Sequence, residues 1–203
     1  MAKIFKCWPF KLLTPPVQLV EGFEAYDGVL KDPAGTPHKG IDYVRWRDGS
    51  FISFEVFSMH EGEAFQGVSK TWGRFVVVRR KLSKNLRYDT IYAHLDHRTP
   101  SNIPILPGRP RHHKWPENYT KRPRGRRIKA GTYLGWAGIT GKTNRIVQLH
   151  LELHKIAIQT GERQKLDPYG LYARASSGKY PQPGSSLRGL RHFWISDSPP
   201  FAG

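Results

Sequence analysis

Two short stretches of this 203-residue chain bring together residue types that bind metals or move protons. From Val147 to His154, Val147, Leu149, Leu151 and Leu153 alternate with Gln148, His150, Glu152 and His154. A period of two is that of a β-strand, so the four polar side chains share one face. Such a face is either solvated or a site, since imidazole and carboxylate groups can ligate a metal or take a proton. The second stretch is Pro37-His38-Lys39-Gly40-Ile41-Asp42. His38 and Asp42 would share a face of a helix, but Pro37 and Gly40 argue against one. On a flat strand they would lie about 13 Å apart, too far to share one ion. To bring them together the chain must bend, which Gly40 permits. Taken alone, both stretches also fit ordinary hydrogen-bonded residues.

Their order along the chain adds information. His38-Lys39-Gly40-Ile41-Asp42 resembles the HxGxD segment that opens the zinc site of lysostaphin/LytM-type endopeptidases. Tyr92-Ala93-His94-Leu95 is similar to that family's YxHL motif, and Leu149-His150-Leu151-Glu152 to the end of its HLHFE motif. Between them, Ile128-Lys129-Ala130-Gly131, Gly135 and Ile139-Thr140-Gly141 resemble its glycine-rich stretch, and Leu166-Asp167-Pro168 its usual close. The resemblance covers roughly Val17 to Tyr172.

Carried over residue by residue, the resemblance implies that His38, Asp42 and His150 are ligands to Zn2+. Two imidazoles and one carboxylate leave such a site net positive with one position open, able to polarise a peptide carbonyl and acidify a water. His94 matches a histidine beside the metal whose N–H can stabilise a developing oxyanion. Gln148 departs from the pattern, because the family has a histidine there that orients or deprotonates the attacking water. Glutamine can hydrogen-bond but cannot take a proton near neutrality, and loss of a general base costs roughly 10²–10⁴-fold in rate. The segment from Gly141 to Gln148 is also about one residue longer than the pattern expects. Glu152 is a candidate to orient a ligand imidazole, or else a solvated strand residue. Asp167 reads as a turn residue.

The elements that must position these residues read as β. Helical periodicity is weak, and short apolar or alternating runs bounded by Gly, Pro, Asn and Asp predict strands at Ile41–Val44, Phe51–Phe57, Arg74–Arg80, Thr90–Leu95, Thr132–Gly138 and Val147–Ile156. The fold class expected is all-β, a mainly antiparallel sheet with an open groove holding the metal, long loops and few helices. One domain is expected over 1–203, with a core of about 17–172, a basic loop insertion at 98–127 and a C-terminal extension at 173–203. The insertion carries nine Lys or Arg, His112, His113 and one acidic residue, Glu117. Phe193, Trp194 and Ile195 suggest that the end of the extension packs back on the domain.

Thirty-three Lys and Arg against sixteen Asp and Glu give a net charge of +17, which favours encounters with polyanions. The lone Cys7 excludes an intramolecular disulfide and a Cys-rich zinc cluster. Pro9, Lys11, Pro15 and Pro16 interrupt any apolar signal segment, and no window is apolar for long enough to span a membrane. The expected function is a zinc endopeptidase of peptidoglycan stem peptides or cross-bridges, slowed or modified by Gln148. It would be monomeric, and secreted, periplasmic or wall-associated, with anionic cell-wall polymers as further partners. The alternative is a non-catalytic zinc-containing module of the same fold that binds peptidoglycan or regulates a hydrolase. Nucleic acid binding, suggested by charge with Trp115 and Tyr119, explains none of the metal-site motifs.

Overall fold

Strands form where apolar side chains recur at every second position, and this rule organises nearly the whole chain. The computed structural model describes residues 2–23, 38–98, 100–105, 125–143, 145–170, 180–188 and 192–202, and these contain eleven strands and no helix. They are β1 (Val17–Glu21), β2 (Ile41–Arg47), β3 (Ser50–Phe51), β4 (Glu55–Phe57), β5 (Gly62–Ser69), β6 (Gly73–Lys81), β7 (Leu86–Leu95), β8 (Arg126–Ile128), β9 (Tyr133–Trp136), β10 (Leu149–Ala157) and β11 (Arg163–Leu166). Nine strands join one sheet in the order β1-β2-β10-β7-β6-β5-β8, with β11 on β10 and β3 on β2, while β4 and β9 pair separately. All of these pairings are antiparallel, as the all-β reading expects.

Register decides which side chains share a face. Leu149, Leu151 and Leu153 stand opposite Tyr43, Ile41 and Leu166 on one edge of β10, and Leu151 and Leu153 opposite Tyr92 and Thr90 on the other. Val76 and Val78 continue that face on β6 and Ala64 on β5, and these apolar residues are buried in a single cluster. The same cluster includes Ile4, Phe5, Trp8 and Phe10 ahead of β1, and Leu187, Phe193 and Trp194 after β11. Ile4 and Phe5 donate backbone hydrogen bonds to the Phe193 carbonyl, and Trp8 to that of Pro200, which ties the two ends of the chain together over the core. Ile195, by contrast, is exposed. Packing against so many aromatic rings makes the sheet a rigid platform for its opposite face.

Several expectations are corrected. Phe51–Phe57 is not one strand: β3 pairs with β2 and β4 with β9, and the chain crosses between the two sheets at Ile52–Phe54. Four strands were not anticipated: β1, β5, β8 and β11. Of these, β8 begins inside the basic segment expected to be a loop and pairs with β5. The centre of that segment, with His112, His113, Trp115, Glu117 and Tyr119, lies outside the described residues, as do 24–37 and 171–179.

Candidate metal centre

The face of β10 opposite the core carries His150, Glu152 and His154, with Gln148 just ahead of the strand, and all four are buried. A solvated sheet surface is therefore ruled out for this strand. Register then sets Asp42 of β2 directly across from His150. His38 lies just before β2, so a single turn of chain brings a second imidazole to the same point. His38 Nε2 and His150 Nδ1 are 3.1 Å apart, Asp42 Oδ1 is 2.7 Å from His150 Nδ1, and Asp42 Oδ2 is 3.4 Å from His38 Nε2. One ligand atom from each residue can be chosen so that all lie within 4.8 Å of one another.

Gly40 makes this approach possible, though not by bending into the left-handed region. A Cβ there would stand 2.5 Å from His150 Cε1 and 2.7 Å from Nε2, so glycine is required because the ring lies against the backbone. The longer segment after Gly141 is absorbed in a turn, with Ile146 N donating to the Thr143 carbonyl and Arg145 at φ 65°. Gln148 still bridges Gly138, so the register of β10 is kept.

The donor set fits a zinc ion. Four donors about 2.0–2.1 Å from zinc at tetrahedral angles stand about 3.3 Å from one another, close to the spacings seen. Each imidazole also has its second nitrogen committed elsewhere. His38 Nδ1 donates to the Gly22 carbonyl at 3.0 Å, and His150 Nε2 donates to Glu152 Oε1 at 3.1 Å. Both acceptors fix the tautomer that turns a lone pair toward the other ligands, as metal-binding histidines require.

The electrostatics of the site favour a cation. Burial by itself would lower the His150 pKa, but the Asp42 carboxylate and Glu152 outweigh it and raise it to about 10. Burial likewise would raise Asp42, yet His150 and His38 hold it well below the usual carboxylate range. In the metal-free chain a proton on His150 takes the place of positive charge, and metal uptake must release it.

His94 reaches the site through a break in strand alternation. Tyr92 and Leu95 both face the core, which strict period two forbids for residues three apart. The register shift between Arg74 and Val76 of β6 and the φ of 63° at His94 resolve this, turning the imidazole to the metal side. Its ring centroid is 5.6 Å from that of His150. Nδ1 donates to the Thr140 carbonyl at 2.8 Å, so the proton of the neutral ring resides there and Nε2 carries the lone pair. Burial, reinforced by the charge of His150, lowers its pKa to about 4 and keeps it neutral. This differs from the expectation of an N–H donor, because the nitrogen left over is an acceptor. Thr140, in turn, is held by its hydroxyl, which donates to the Leu95 carbonyl at 2.7 Å and accepts from Arg74 N at 2.8 Å. Sequence reading found Thr140 only as part of a motif.

Gln148 is 4% exposed, and its Oε1 is buried without a hydrogen-bond partner among the described residues. Asp167 is a turn residue, accepting from Tyr169 N at 2.8 Å and from the Tyr180 hydroxyl at 3.1 Å.

Comparison with known proteins finds likenesses among solved structures. Among solved structures the chain is similar to a mutant catalytic domain of the prophage-encoded M23 protein EnpA from Enterococcus faecalis, at 20% identity and a TM-score of 0.45, over 76% of this chain and 92% of that one. No protein-family model matches the chain. No curated protein matches it either. A likeness this distant bears on neither activity nor substrate, which rest on the side chains themselves.

Proposed function

We propose that this chain is a zinc-dependent endopeptidase acting on stem peptides or cross-bridges of peptidoglycan. The observation that carries the reading is the convergence of His38 Nε2, Asp42 and His150 Nδ1, with both tautomers fixed from behind, beside a buried neutral histidine. Zinc bound there would supply Lewis-acid polarisation of a peptide carbonyl and a water of lowered pKa.

The chain's own residues do the rest. The carboxylate of Asp42 and the two imidazoles hold the charge balance of the centre. His94 Nε2, the nitrogen of that ring that does not contact Thr140, would accept a hydrogen bond from the attacking water and orient it. Burial of His94 excludes competing water from its ring and keeps it in the form that can accept. Gln148 can steer a polar group by hydrogen bonding but holds no proton to exchange. The resembled pattern has a base where this chain has Gln148, so a reduced rate is expected.

The substrate class follows from the joint order of the HxGxD-like, YxHL-like and HxE-bearing segments. The net charge of +17 favours anionic cell-wall polymers as a second contact, and the substrate class implies places of action that are secreted, periplasmic or wall-associated. No helix among the described residues is long and apolar enough to cross a membrane.

The test is release of new amino termini from purified peptidoglycan by the zinc-loaded protein beside His150→Ala and His94→Ala. Release by the parent that disappears in both variants supports the enzyme. Gln148 favours a second reading, a non-catalytic zinc-containing module that binds wall peptides. No release by the parent, with zinc bound and wall binding retained in His94→Ala, would establish that reading instead.

A further inference from the structure

Behind His150 lies a cluster that the proposed chemistry does not use. Glu152 is 3% exposed and accepts from four side chains. Its Oε1 receives His150 Nε2 at 3.1 Å and Trp72 Nε1 at 3.0 Å, and its Oε2 receives His154 Nε2 at 2.5 Å and Lys165 Nζ at 2.9 Å. An ionised carboxylate offers about four lone-pair positions, and all are taken.

The direction of each hydrogen bond is forced. Trp72 and Lys165 can only donate. His154 Nδ1 faces the Arg163 guanidinium, with Arg163 Nε at 2.7 Å, and a guanidinium has no acceptor. His154 Nδ1 must therefore accept, its proton must be on Nε2, and that nitrogen must donate to Glu152. With three donors fixed around it, Glu152 can only accept from His150. Arg163 thus sets the tautomer of His154, and the Glu152 carboxylate, which can only accept, sets which nitrogen of His150 carries the proton and which faces His38 and Asp42. His154 is fully buried, so water cannot substitute in this chain of contacts.

We propose that Glu152, Trp72, His154, Arg163 and Lys165 form a positioning shell that locks His150 as an Nε2–H imidazole and so sets the metal affinity of the centre. The proposal rests on the reading of His38, Asp42 and His150 as a metal site. These are positioning residues, acting through His150. Glu152 and His154 lie on β10, Arg163 and Lys165 on the neighbouring β11, and Trp72 in the β5–β6 turn.

The experiment is zinc affinity by competition with a chromophoric chelator, on the full chain. Glu152→Gln puts an amide NH2 among groups that only donate, and loss of affinity by about 10- to 100-fold is expected. Arg163→Met frees His154 to take either tautomer, and a smaller loss in the same direction is expected. His154→Gln retains one donor for Glu152 and one acceptor for Arg163 and should keep affinity near the parent, whereas His154→Leu should not. Circular dichroism confirms that each variant is folded, and Arg163→Met, on a partly exposed side chain, serves if Glu152→Gln does not fold. In zinc-loaded parent, long-range proton–nitrogen correlation spectra should show His150 protonated at Nε2. Parental affinity in folded Arg163→Met and His154→Leu, or a His150 protonated at Nδ1, would overturn the positioning role. A parent that takes up no zinc would instead overturn the metal-centre reading on which it rests.

Discussion

Replacing Gly40 with alanine isolates the geometry of the centre from its chemistry, because no ligand atom is removed. The added Cβ would stand 2.5 Å from His150 Cε1, 2.7 Å from His150 Nε2 and 2.7 Å from the Leu151 carbonyl oxygen. Ordinary carbon contacts are about 3.5–4.0 Å, so the imidazole must retreat by about 1 Å. It cannot do so freely, being held by Asp42 at 2.7 Å and Glu152 at 3.1 Å. Overpacking of this kind costs about 1–3 kcal/mol. Much of it should appear as weakened zinc binding, since the ring moves off the position that the other two ligands define. At about 1.36 kcal/mol per decade, the expected loss is roughly 5- to 150-fold in Kd. The assay is chelator competition at neutral pH, with thermal unfolding of the metal-free protein measured alongside. Gly161→Ala is the control: nothing lies within 4 Å of its Cβ, but φ is +72°, so it should lose about 1–2 kcal/mol of stability and no zinc affinity. A folded Gly40→Ala protein with parental zinc affinity would refute the close-approach argument.

Three further outcomes are expected. Gln148→His should accelerate release of amino termini from peptidoglycan by about 10²-fold or more, by supplying the proton-accepting group that the resembled pattern has at that position; an unchanged rate with zinc bound would show that no base is missing there. Burial, reinforced by the Arg80 charge, lowers the His60 pKa to about 4 while its ring donates to the Glu61 carbonyl and accepts from Thr90. The unfolded chain takes that proton near pH 6.5, so His60 leaves stability unaffected above that pH and removes roughly 3 kcal/mol as pH falls to 4, a slope that denaturant titration should find flattened in His60→Gln. Chelation should lower the Tm of zinc-loaded parent, since zinc at a thousand times its Kd adds about 4 kcal/mol, and should leave His150→Ala unchanged.

How much of this was legible in the sequence varies with the range of the interaction. The strict alternation of Val147 to His154 gave β10 and its polar face, and the motif order brought His38, Asp42 and His150 forward as one group. What alternation could not give was the burial of that face, which depends on neighbouring strands. β5 was hidden by Gly62 and Gly67, which dilute its pattern, and β8 by the arginines that make its segment look like a loop. Gly40 was read as a hinge, whereas its role is contact with a side chain more than a hundred positions away. His94 was found by its motif, but its tautomer depends on a backbone carbonyl at Thr140, and its orientation on a bulge with no sequence signal. Trp72, Arg163 and Lys165 carried no local mark at all, because what they do depends entirely on the carboxylate they surround.

Zinc content after exhaustive dialysis measures directly whether the three side chains form one metal site. One zinc per chain is expected in the parent, with loss of nearly all of it in His38→Ala, Asp42→Ala and His150→Ala variants that remain folded. A parent without zinc, or variants that keep it, would contradict the account.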